Sequence, residues 1–210
     1  MARRHDSSPG PGVLVRFDAV YLARHGQTQW NVEGRRQGRL DSSLTPHGLL
    51  QAQRNAALVS DEQIDAVFTS PLGRARRTAE ILADTLELPV RVVDDLAEVA
   101  HGEWSGLTSA EIDSGWPGQR AAREKDKYVF RFPGGESYAD AELRAVRALQ
   151  SIAATGSLRP LLVAHEMLGR LLVKQLVGLG SEEALRRAQP SDVVYRITSA
   201  GSIDRLTCAE

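Results

Sequence analysis

Short apolar runs alternate along this chain with longer segments whose apolar residues recur every three or four positions, as on one face of a helix. The runs that fit buried β-strands are residues 17–23, 66–68, 90–93, 161–164, 193–197 and 203–206. Strands that alternate with helices in this way form a mainly parallel sheet with helices packed on its faces. The sequence therefore predicts an α/β fold, a three-layer αβα sandwich around a mainly parallel central sheet.

Two of the predicted helices begin with a hydroxyl residue followed by proline. These pairs are Thr45-Pro46 and Ser70-Pro71, and apolar residues at helical spacing follow each of them. Threonine and serine are favoured N-caps and proline is tolerated in the first helical turn, so each pair predicts a helix start. Two further helices are predicted over residues 137–153 and 168–177.

Composition and charge narrow the class of protein. The chain has 210 residues, 42% of them hydrophobic and 25% charged, with a formal net charge of −1 and no long run of one sign. We therefore expect neither a nucleic-acid nor a membrane partner, and no apolar stretch reaches the roughly 18 residues of a transmembrane span. The single cysteine, Cys208, has no internal disulfide partner, which is typical of a cytoplasmic protein.

We predict one domain over residues 13–210, since no linker, repeat or low-complexity tract divides it. Residues 1–12 contain arginines but no hydrophobic signal core, and we expect a disordered tail there. Residues 104–136 interrupt the alternation with a polar, charge-rich stretch, which we interpret as an insertion that covers an active-site mouth. The oligomeric state is left open, with a homodimer as one option.

Two of the strand-like runs end in histidine. His25 follows the first run, and His165 follows the run at 161–164. The carboxyl ends of parallel strands form the usual ligand crevice, so we expect the two imidazoles to meet there. Arg24 and Arg74 add fork-shaped donors that suit phosphoryl oxygens, and Asn31 adds a neutral donor if its loop folds back. Phosphate chemistry is therefore the first candidate.

Transfer of a phosphoryl group to histidine needs a neutral imidazole as nucleophile, cationic donors for the oxygens and an acid for the leaving alkoxide. Glu98, which comes shortly after the predicted strand at 90–93, is the leading acid. Each of these residues taken alone is more often structural, and only their combination indicates a site. His5, His47 and His101 lack the spacing of metal ligands, which argues against a metal-dependent hydrolase.

These motifs resemble those of the histidine phosphatase superfamily, the phosphoglycerate mutase-like proteins. The matching segments, in order, are residues 22–31, 69–80, 98–104 and 164–165, and the resemblance extends over residues 17–206. It implies that His25 becomes phosphorylated and that Glu98 acts first as acid and then as base for water. It also implies that the phosphoryl group is held by Arg24, Arg74 and His165 with help from Asn31. We expect no metal or cofactor, because these cationic groups already neutralise the oxygens.

The segment over residues 123–138 resembles fructose-2,6-bisphosphatase more closely than it resembles the mutases. By position, the residues that would hold a second phosphate and the sugar are Arg123, Lys127, Tyr138 and Arg170; Gln37 and Glu166 complete the predicted substrate-binding set. The alternative reading is a solvated charge run that merely caps the fold. The chain departs from that enzyme at Ser109 and Glu166, and a carboxylate at position 166 repels a bisphosphate unless it is protonated or salt-bridged.

The sequence thus predicts a metal-independent phosphomonoester hydrolase that acts through a phosphohistidine on a small phosphorylated sugar or related metabolite. A phosphoglycerate mutase and a non-catalytic phosphate-binding protein on the same fold remain alternatives. Residues 98–102 lack the arginine and tyrosine that mutases carry there, which favours hydrolysis. The presence of His25, Glu98 and His165 together favours an enzyme over a binding protein.

Overall fold

The computed structural model describes residues 16–208, so the tail expected over residues 1–12 lies outside the described part of the chain. Its strands are β1 (Ala19–Arg24), β2 (Ala66–Thr69), β3 (Val90–Val92), β4 (Pro160–Ala164), β5 (Val194–Thr198) and β6 (Ile203–Leu206). They form one six-stranded sheet in the order β3-β2-β4-β1-β5-β6. The strands from β3 to β1 are parallel, whereas β5 and β6 are antiparallel to their neighbours, so the predicted mainly parallel sheet is confirmed.

The helices are α1 (Gln29–Val32), α2 (Pro46–Val59), α3 (Gly73–Leu86), α4 (Ser109–Gly115), α5 (Gln119–Lys125), α6 (Tyr138–Ala153), α7 (Glu166–Val177) and α8 (Ser181–Arg186). Successive residues of the central strands point to opposite faces of the sheet. Leu22 and Leu162 pack with α6 and α7 on one face, and Tyr21 and Leu161 pack with α2 and α3 on the other. Both faces are therefore buried under helices, which makes the three layers that the sequence predicted. None of the described helices has the length and apolar character needed to cross a membrane.

The two predicted helix starts have different outcomes. Helix α2 begins at Pro46, and the Thr45 hydroxyl accepts a hydrogen bond from the Gly48 amide as an N-cap should. The start predicted at Ser70-Pro71 is wrong by two residues, because α3 begins at Gly73. The Ser70 hydroxyl lies against His165 instead of capping the helix. The helix predicted over residues 168–177 begins two residues earlier than predicted, at Glu166.

The charge-rich segment over residues 104–136 contains α4 and α5 and is anchored in the core. Trp104, Ile112 and Phe132 are fully buried within the same apolar cluster as α6 and α7. The sequence interpretation of a polar insertion missed this anchor because the apolar residues are widely spaced among charges. The segment is part of the packed domain, and its buried side chains help to fix the loops beside the site.

Candidate active site

His25 and His165 meet at the carboxyl edge of the two central parallel strands. Residues Arg24 and Ala164 are paired in the register of β1 and β4, and each histidine is the next residue along its strand. The two ring centroids are 5.2 Å apart with an interplanar angle of 57°. Both side chains are buried, so the strand-end histidines face each other in a site largely closed to water.

The hydrogen-bond partners of His25 define its tautomer. Its Nδ1 lies 2.8 Å from the Gly26 carbonyl oxygen, to which it donates. Its Nε2 accepts a hydrogen bond from Nε of Arg74 over 3.2 Å. Burial, together with the positive charges of Arg74 and Arg24, lowers the pKa of His25 well below its ordinary value. The ring is therefore neutral, with its lone pair on Nε2 available as a nucleophile.

Close backbone packing holds the loop that carries His25. A Cβ atom added to Gly26 would lie 2.3 Å from the carbonyl oxygen of Gly48, in the first turn of α2. The Gly26 amide also donates a hydrogen bond to the Thr78 hydroxyl of α3 over 3.1 Å. Glycine is required here because only a residue without a side chain lets the two backbones approach so closely. The loop is thus fixed by both helices on that face of the sheet.

Arg74 projects from the first turn of α3 and is held almost completely out of solvent. Its Nη1 donates to the Leu40 carbonyl over 2.7 Å and to the Asp41 carboxylate over 3.0 Å, and its Nη2 donates to the Gly38 carbonyl over 2.8 Å. With the bond to His25, these contacts occupy four of the five guanidinium hydrogens. The remaining Nη2 hydrogen is left for an incoming anion.

His165 makes one polar contact through its ring. Its Nε2 lies 2.7 Å from the Ser70 hydroxyl, and its Nδ1 is buried without a hydrogen-bond partner among residues 16–208. Burial and the nearby charge of Arg74 lower the pKa of His165 well below its ordinary value. A neutral ring that accepts from Ser70 carries its proton on Nδ1, where a phosphoryl oxygen can accept it.

Glu98 lies at the N-terminus of α7. Its Oε1 accepts hydrogen bonds from the amides of Val99 and Leu168 over 2.9 and 3.0 Å, and its Oε2 accepts one from the Met167 amide over 3.2 Å. Burial raises the pKa of Glu98, although these amides and the charge of Arg74 oppose the shift. A carboxyl group with a raised pKa is suited to donate a proton and later to accept one.

The loop before Glu98 is fixed by Arg144 of α6, a residue that the sequence did not single out. The Arg144 guanidinium donates to the carbonyl oxygens of Asp95 and Ala97 over 2.9 Å and to that of Glu98 over 3.3 Å. It also forms a two-pronged ion pair with Glu136, with both N···O distances 2.8 Å. Arg144 therefore acts on the site by holding the backbone of the candidate acid.

Glu166, whose negative charge was expected to repel a bisphosphate substrate unless it was neutralised, is salt-bridged. Its carboxylate lies 3.0 Å from Nη1 of Arg24 and 2.7 Å from Nη2 of Arg170. Two guanidinium groups offset the negative charge, so the repulsion expected from an unpaired carboxylate does not apply. The contact with Glu166 also accounts for the position of Arg170, which reaches toward the site from the next turn of α7.

A cavity of about 160 Å³ opens over His25 and His101, whereas His165 lies behind its lining. Its lining residues are Arg24, His25, Asn31, Arg35, Arg36, Gln37, Gly38, Arg74, Glu98, His101, Glu166 and Met167. Of the predicted substrate-binding residues, Asn31, Gln37 and Glu166 are among them. The Asn31 Oδ1 is engaged by the Thr28 amide and hydroxyl, and the Gln37 Nε2 donates to that hydroxyl over 2.9 Å.

The remaining predicted residues lie away from this lining. Arg123 is buried, and its Nη2 lies 3.4 Å from the Tyr138 hydroxyl, a long and weak contact. Lys127 is ion-paired with Glu124 at 2.8 Å and lines a separate depression beside α8. The structure therefore does not bring Lys127 to the cavity over the histidines.

The sequence reading missed five residues that line this cavity: Arg35, Arg36, Gly38, His101 and Met167. Burial and the charges of Arg36, Arg123 and Arg74 lower the pKa of His101 to about 3, and its Nε2 lies 3.1 Å from the Met167 sulfur. His101 follows Glu98 by three positions on the same loop, and that proximity was the available signal. Arg36 directly precedes the predicted Gln37, which gave a similar hint.

Comparison with known proteins assigns this arrangement to a family. The description "Histidine phosphatase superfamily (branch 1)" matches residues 20–206. This chain belongs to the histidine phosphatase superfamily. The match runs from β1 to β6, and members of the superfamily are phosphatases or mutases. The family predicted from the sequence motifs is thereby confirmed, whereas the narrower likeness to fructose-2,6-bisphosphatase stays a prediction.

Individual relatives include proteins named for both activities. A Klebsiella pneumoniae protein named "Probable phosphoglycerate mutase GpmB" is 40% identical over 164 residues, which is 76% of this chain and 75% of that protein. The structure of the alpha-ribazole phosphatase from Shigella flexneri superposes with a TM-score of 0.81 at 26% identity, covering 90% of this chain and 96% of that one. A mycobacterial glucosyl-3-phosphoglycerate phosphatase superposes with a TM-score of 0.79 at 29% identity, covering 90% and 97%.

Proposed function

We propose that the protein is a phosphomonoester hydrolase that forms a phosphohistidine on Nε2 of His25 and acts on a small phosphorylated sugar or related metabolite. The observation that carries the proposal is a neutral His25 in one cavity with Glu98, a carboxyl group of raised pKa. A nucleophile and an acid are the two groups that phosphoryl transfer from an alcohol requires. The cavity of about 160 Å³ is small beside ordinary ligand sites, which favours a compact substrate.

In the first step, Nε2 of His25 forms a bond to phosphorus as the bond to the substrate oxygen breaks. The Glu98 carboxyl group gives its proton to the departing oxygen, so the leaving group is an alcohol and Glu98 becomes a carboxylate. Arg24, Arg74 and His165 donate to the phosphoryl oxygens, whose charge they offset. The Nδ1 hydrogen bond to Gly26 keeps the His25 ring oriented while its other nitrogen reacts.

In the second step, water attacks the phosphorus of phosphohistidine. The Glu98 carboxylate accepts a proton from that water, the bond between phosphorus and Nε2 breaks, and inorganic phosphate leaves. His25 returns to its neutral form and Glu98 to its protonated form, which closes the cycle.

A phosphoglycerate mutase is the second candidate, because the Klebsiella pneumoniae relative carries that name. A mutase holds its phosphohistidine until a second acceptor takes the group. The residues after Glu98 here are Val99, Ala100 and His101, without the arginine and tyrosine found at this place in mutases. We therefore place hydrolysis first.

The test measures phosphate release from sugar phosphates, phosphoglycerates and an aryl phosphate, with the unchanged chain and with His25→Ala. We expect release that depends on His25 and a phosphoenzyme that can be trapped by rapid denaturation at alkaline pH, where phosphohistidine survives. Turnover that persists in His25→Ala would overturn the mechanism. Transfer to a phosphoglycerate acceptor that outpaces phosphate release would establish the mutase instead.

A further inference from the structure

Four arginines line the cavity over the histidines, and one of them differs from the rest. Three are ion-paired: Arg24 with Glu166, Arg35 with Glu111 and Arg74 with Asp41. Within residues 16–208, the Arg36 side chain forms no hydrogen bond or ion pair, and its Nε is buried without a partner. Buried polar groups in folded proteins normally have partners, so an unpaired guanidinium in a ligand cavity calls for an acceptor from outside the chain.

The guanidinium groups of Arg36 and Arg123 pack against two neighbouring aromatic rings, those of Trp104 and Phe132. The Arg36 Cζ lies 5.8 Å from the ring centroid of Trp104, and the Arg123 Cζ lies 5.4 Å from that of Phe132. The two rings pack edge to face with their centroids 5.4 Å apart. The Arg123 Nε is also buried without a partner among the described residues. Two guanidinium groups therefore rest on adjoining rings, but Arg123 is ion-paired with Glu124 at 3.2 Å, whereas Arg36 has no such partner in the described part of the chain.

The carboxylates of the cavity are engaged elsewhere. Glu166 is shared between Arg24 and Arg170, and Glu98 accepts hydrogen bonds from three backbone amides. Burial and the neighbouring charges of Arg123 and Arg120 lower the pKa of Arg36, and Glu124, which forms its ion pairs with Arg123 and Lys127, offsets them only in part. A bound anion would relieve both the repulsion and the unsatisfied donors.

We propose that Arg36 binds a second anionic group of the substrate, a carboxylate or a phosphate, in the same cavity as the reacting phosphoryl group, while Arg123 adds positive charge from behind the cavity wall. The proposal rests on the proposed hydrolase function and narrows its substrate class to metabolites with two acidic groups. It makes Arg36 a specificity-determining residue that never touches the transferred group. Lys127 has no part in it, since that side chain is paired with Glu124 beside α8.

The test compares ligands that differ only in the second anion. One pair is 3-phosphoglycerate and glycerol 3-phosphate, which differ by a carboxylate, and the other is fructose 1,6-bisphosphate and fructose 6-phosphate, which differ by a phosphate. Dissociation constants are measured by calorimetry on His25→Ala, which cannot form the phosphoenzyme, and on His25→Ala with Arg36→Leu. We expect one doubly anionic ligand to bind about 10- to 100-fold more tightly than its partner, and Arg36→Leu to remove that advantage.

Two variants serve as controls. Arg120→Leu removes a positive charge that also acts on Arg36, but Arg120 is exposed and paired with Asp113, so the binding advantage should survive. Arg36→Lys keeps the charge and loses the planar fork, so it should retain part of the advantage. Circular dichroism and the midpoint of thermal unfolding, compared with those of the unchanged chain, show whether Arg36→Leu is folded.

The pair that shows the advantage tells whether the second anion is a carboxylate or a phosphate. The inference is overturned if neither pair shows an advantage, or if Arg36→Leu weakens both members of a pair equally. Because binding is measured on a variant that does not turn over, a failed hydrolysis assay would sink the proposed function without deciding this point.

Discussion

Nε of Arg74 donates a hydrogen bond to Nε2 of His25 across 3.2 Å, so a permanent cation lies directly against the atom proposed as nucleophile. A positive charge at this distance opposes protonation of the ring, and the hydrogen bond to Nε2 must be released when that nitrogen attacks phosphorus. The same guanidinium is tied to Gly38, Leu40 and Asp41, which prevents it from swinging away. Arg74, which we propose as a ligand for the phosphoryl group, is therefore also the second cause, after burial, of the lowered His25 pKa.

The contact between Arg74 and His25 leads to a prediction about how kcat/KM falls at low pH. The protonated form of His25 is inactive and its pKa is lowered, so kcat/KM should show no loss from His25 near pH 6.5. Arg74→Gln removes the cation, which should raise the His25 pKa and shift the acidic limb to higher pH, besides reducing the rate. The measurement is kcat/KM for an aryl phosphate against pH in both proteins, since the titration of the substrate itself is common to them. Arg77→Gln, at an exposed arginine of the same helix, should leave the profile unchanged, and an identical shift there would refute the argument.

Replacement of the candidate acid should discriminate between leaving groups. Glu98→Gln cannot donate a proton, so hydrolysis of an alkyl phosphate should fall by roughly 100- to 10,000-fold, whereas an aryl phosphate with a good leaving group should lose much less. In the unchanged chain, alkyl phosphate hydrolysis should decline as pH rises through the raised pKa of Glu98. Single-turnover rates on both substrates give the comparison, with Glu80→Gln at an exposed ion pair as control. Equal losses on the two substrates would remove Glu98 from the role of acid.

Arg144 and Arg147 offer a matched pair on α6. Both contact residue Asp95, but Arg144 is buried and holds three carbonyl oxygens and Glu136, whereas Arg147 is exposed and pairs only with the Asp95 carboxylate. Arg144→Met leaves the carbonyl oxygens of Asp95, Ala97 and Glu98 without this donor and leaves Glu136 with only the exposed Arg39 and the Ala100 amide, which should cost about 3–5 kcal/mol of unfolding free energy. Arg147→Met should cost less than about 1 kcal/mol. Urea denaturation measures both, and similar losses would mean that the Arg144 cluster is not a structural anchor.

A methyl group at position 26 should disturb the loop that carries His25. Gly26→Ala places a Cβ 2.3 Å from the Gly48 carbonyl oxygen, which is backbone and cannot rotate aside. We expect a loss of about 1–3 kcal/mol in stability together with a fall in kcat, because the nucleophile moves with its loop. Gly115→Ala is the control, since no atom lies within 4 Å of a Cβ built there. If Gly26→Ala proved as stable and active as Gly115→Ala, the close approach would have no role in positioning His25.

The buried histidines predict that the fold weakens in acid. The pKa values of His25, His101 and His165 are lowered in the folded state from an ordinary value of 6.5. Below pH 6.5 the unfolded chain therefore binds more protons than the folded chain does. Each such ring contributes stability that is present above pH 6.5 and is lost by up to about 1.4 kcal/mol per pH unit below it. Unfolding free energies between pH 7.5 and 5 measure the slope. His101→Leu removes one of these titrating groups, so the slope should fall by the equivalent of up to one proton per molecule, and an unchanged slope would contradict the argument.

The sequence predicted the parts of the site that depend on local pattern. An apolar run that ends in a polar residue marks the end of a buried strand, so the places of His25 and His165 followed from periodicity and sheet chemistry. Ser70 was misread because a serine before proline has the pattern of a helix cap, and only the folded structure shows its hydroxyl turned to His165. Local sequence does not distinguish those two uses of one hydroxyl.

Contacts between residues far apart in the chain could not be predicted from the sequence, for a different reason. Arg144 reaches carbonyl oxygens of residues 95–98, almost fifty positions earlier, and carbonyl acceptors leave no mark in the side-chain pattern. On a helical wheel Arg144 is one arginine among several, and nothing nearby separates it from the exposed Arg147. The substrate contact of Lys127, suggested by positional likeness, stays a prediction, and in this structure its side chain is paired with Glu124.

The three amides that surround the Glu98 carboxylate include two from the first turn of α7, and that turn also supplies Glu166 and Met167 to the cavity wall. An ionised carboxylate stabilises a helix N-terminus, and a protonated one does so less. In the proposed mechanism Glu98 loses its proton in the first step and regains it in the second. Its interaction with the first turn of α7 should therefore strengthen and then weaken in each cycle. If Glu98 is the acid, its protonation state is therefore coupled, through these amides, to the turn that places Glu166 and Met167 in the cavity wall.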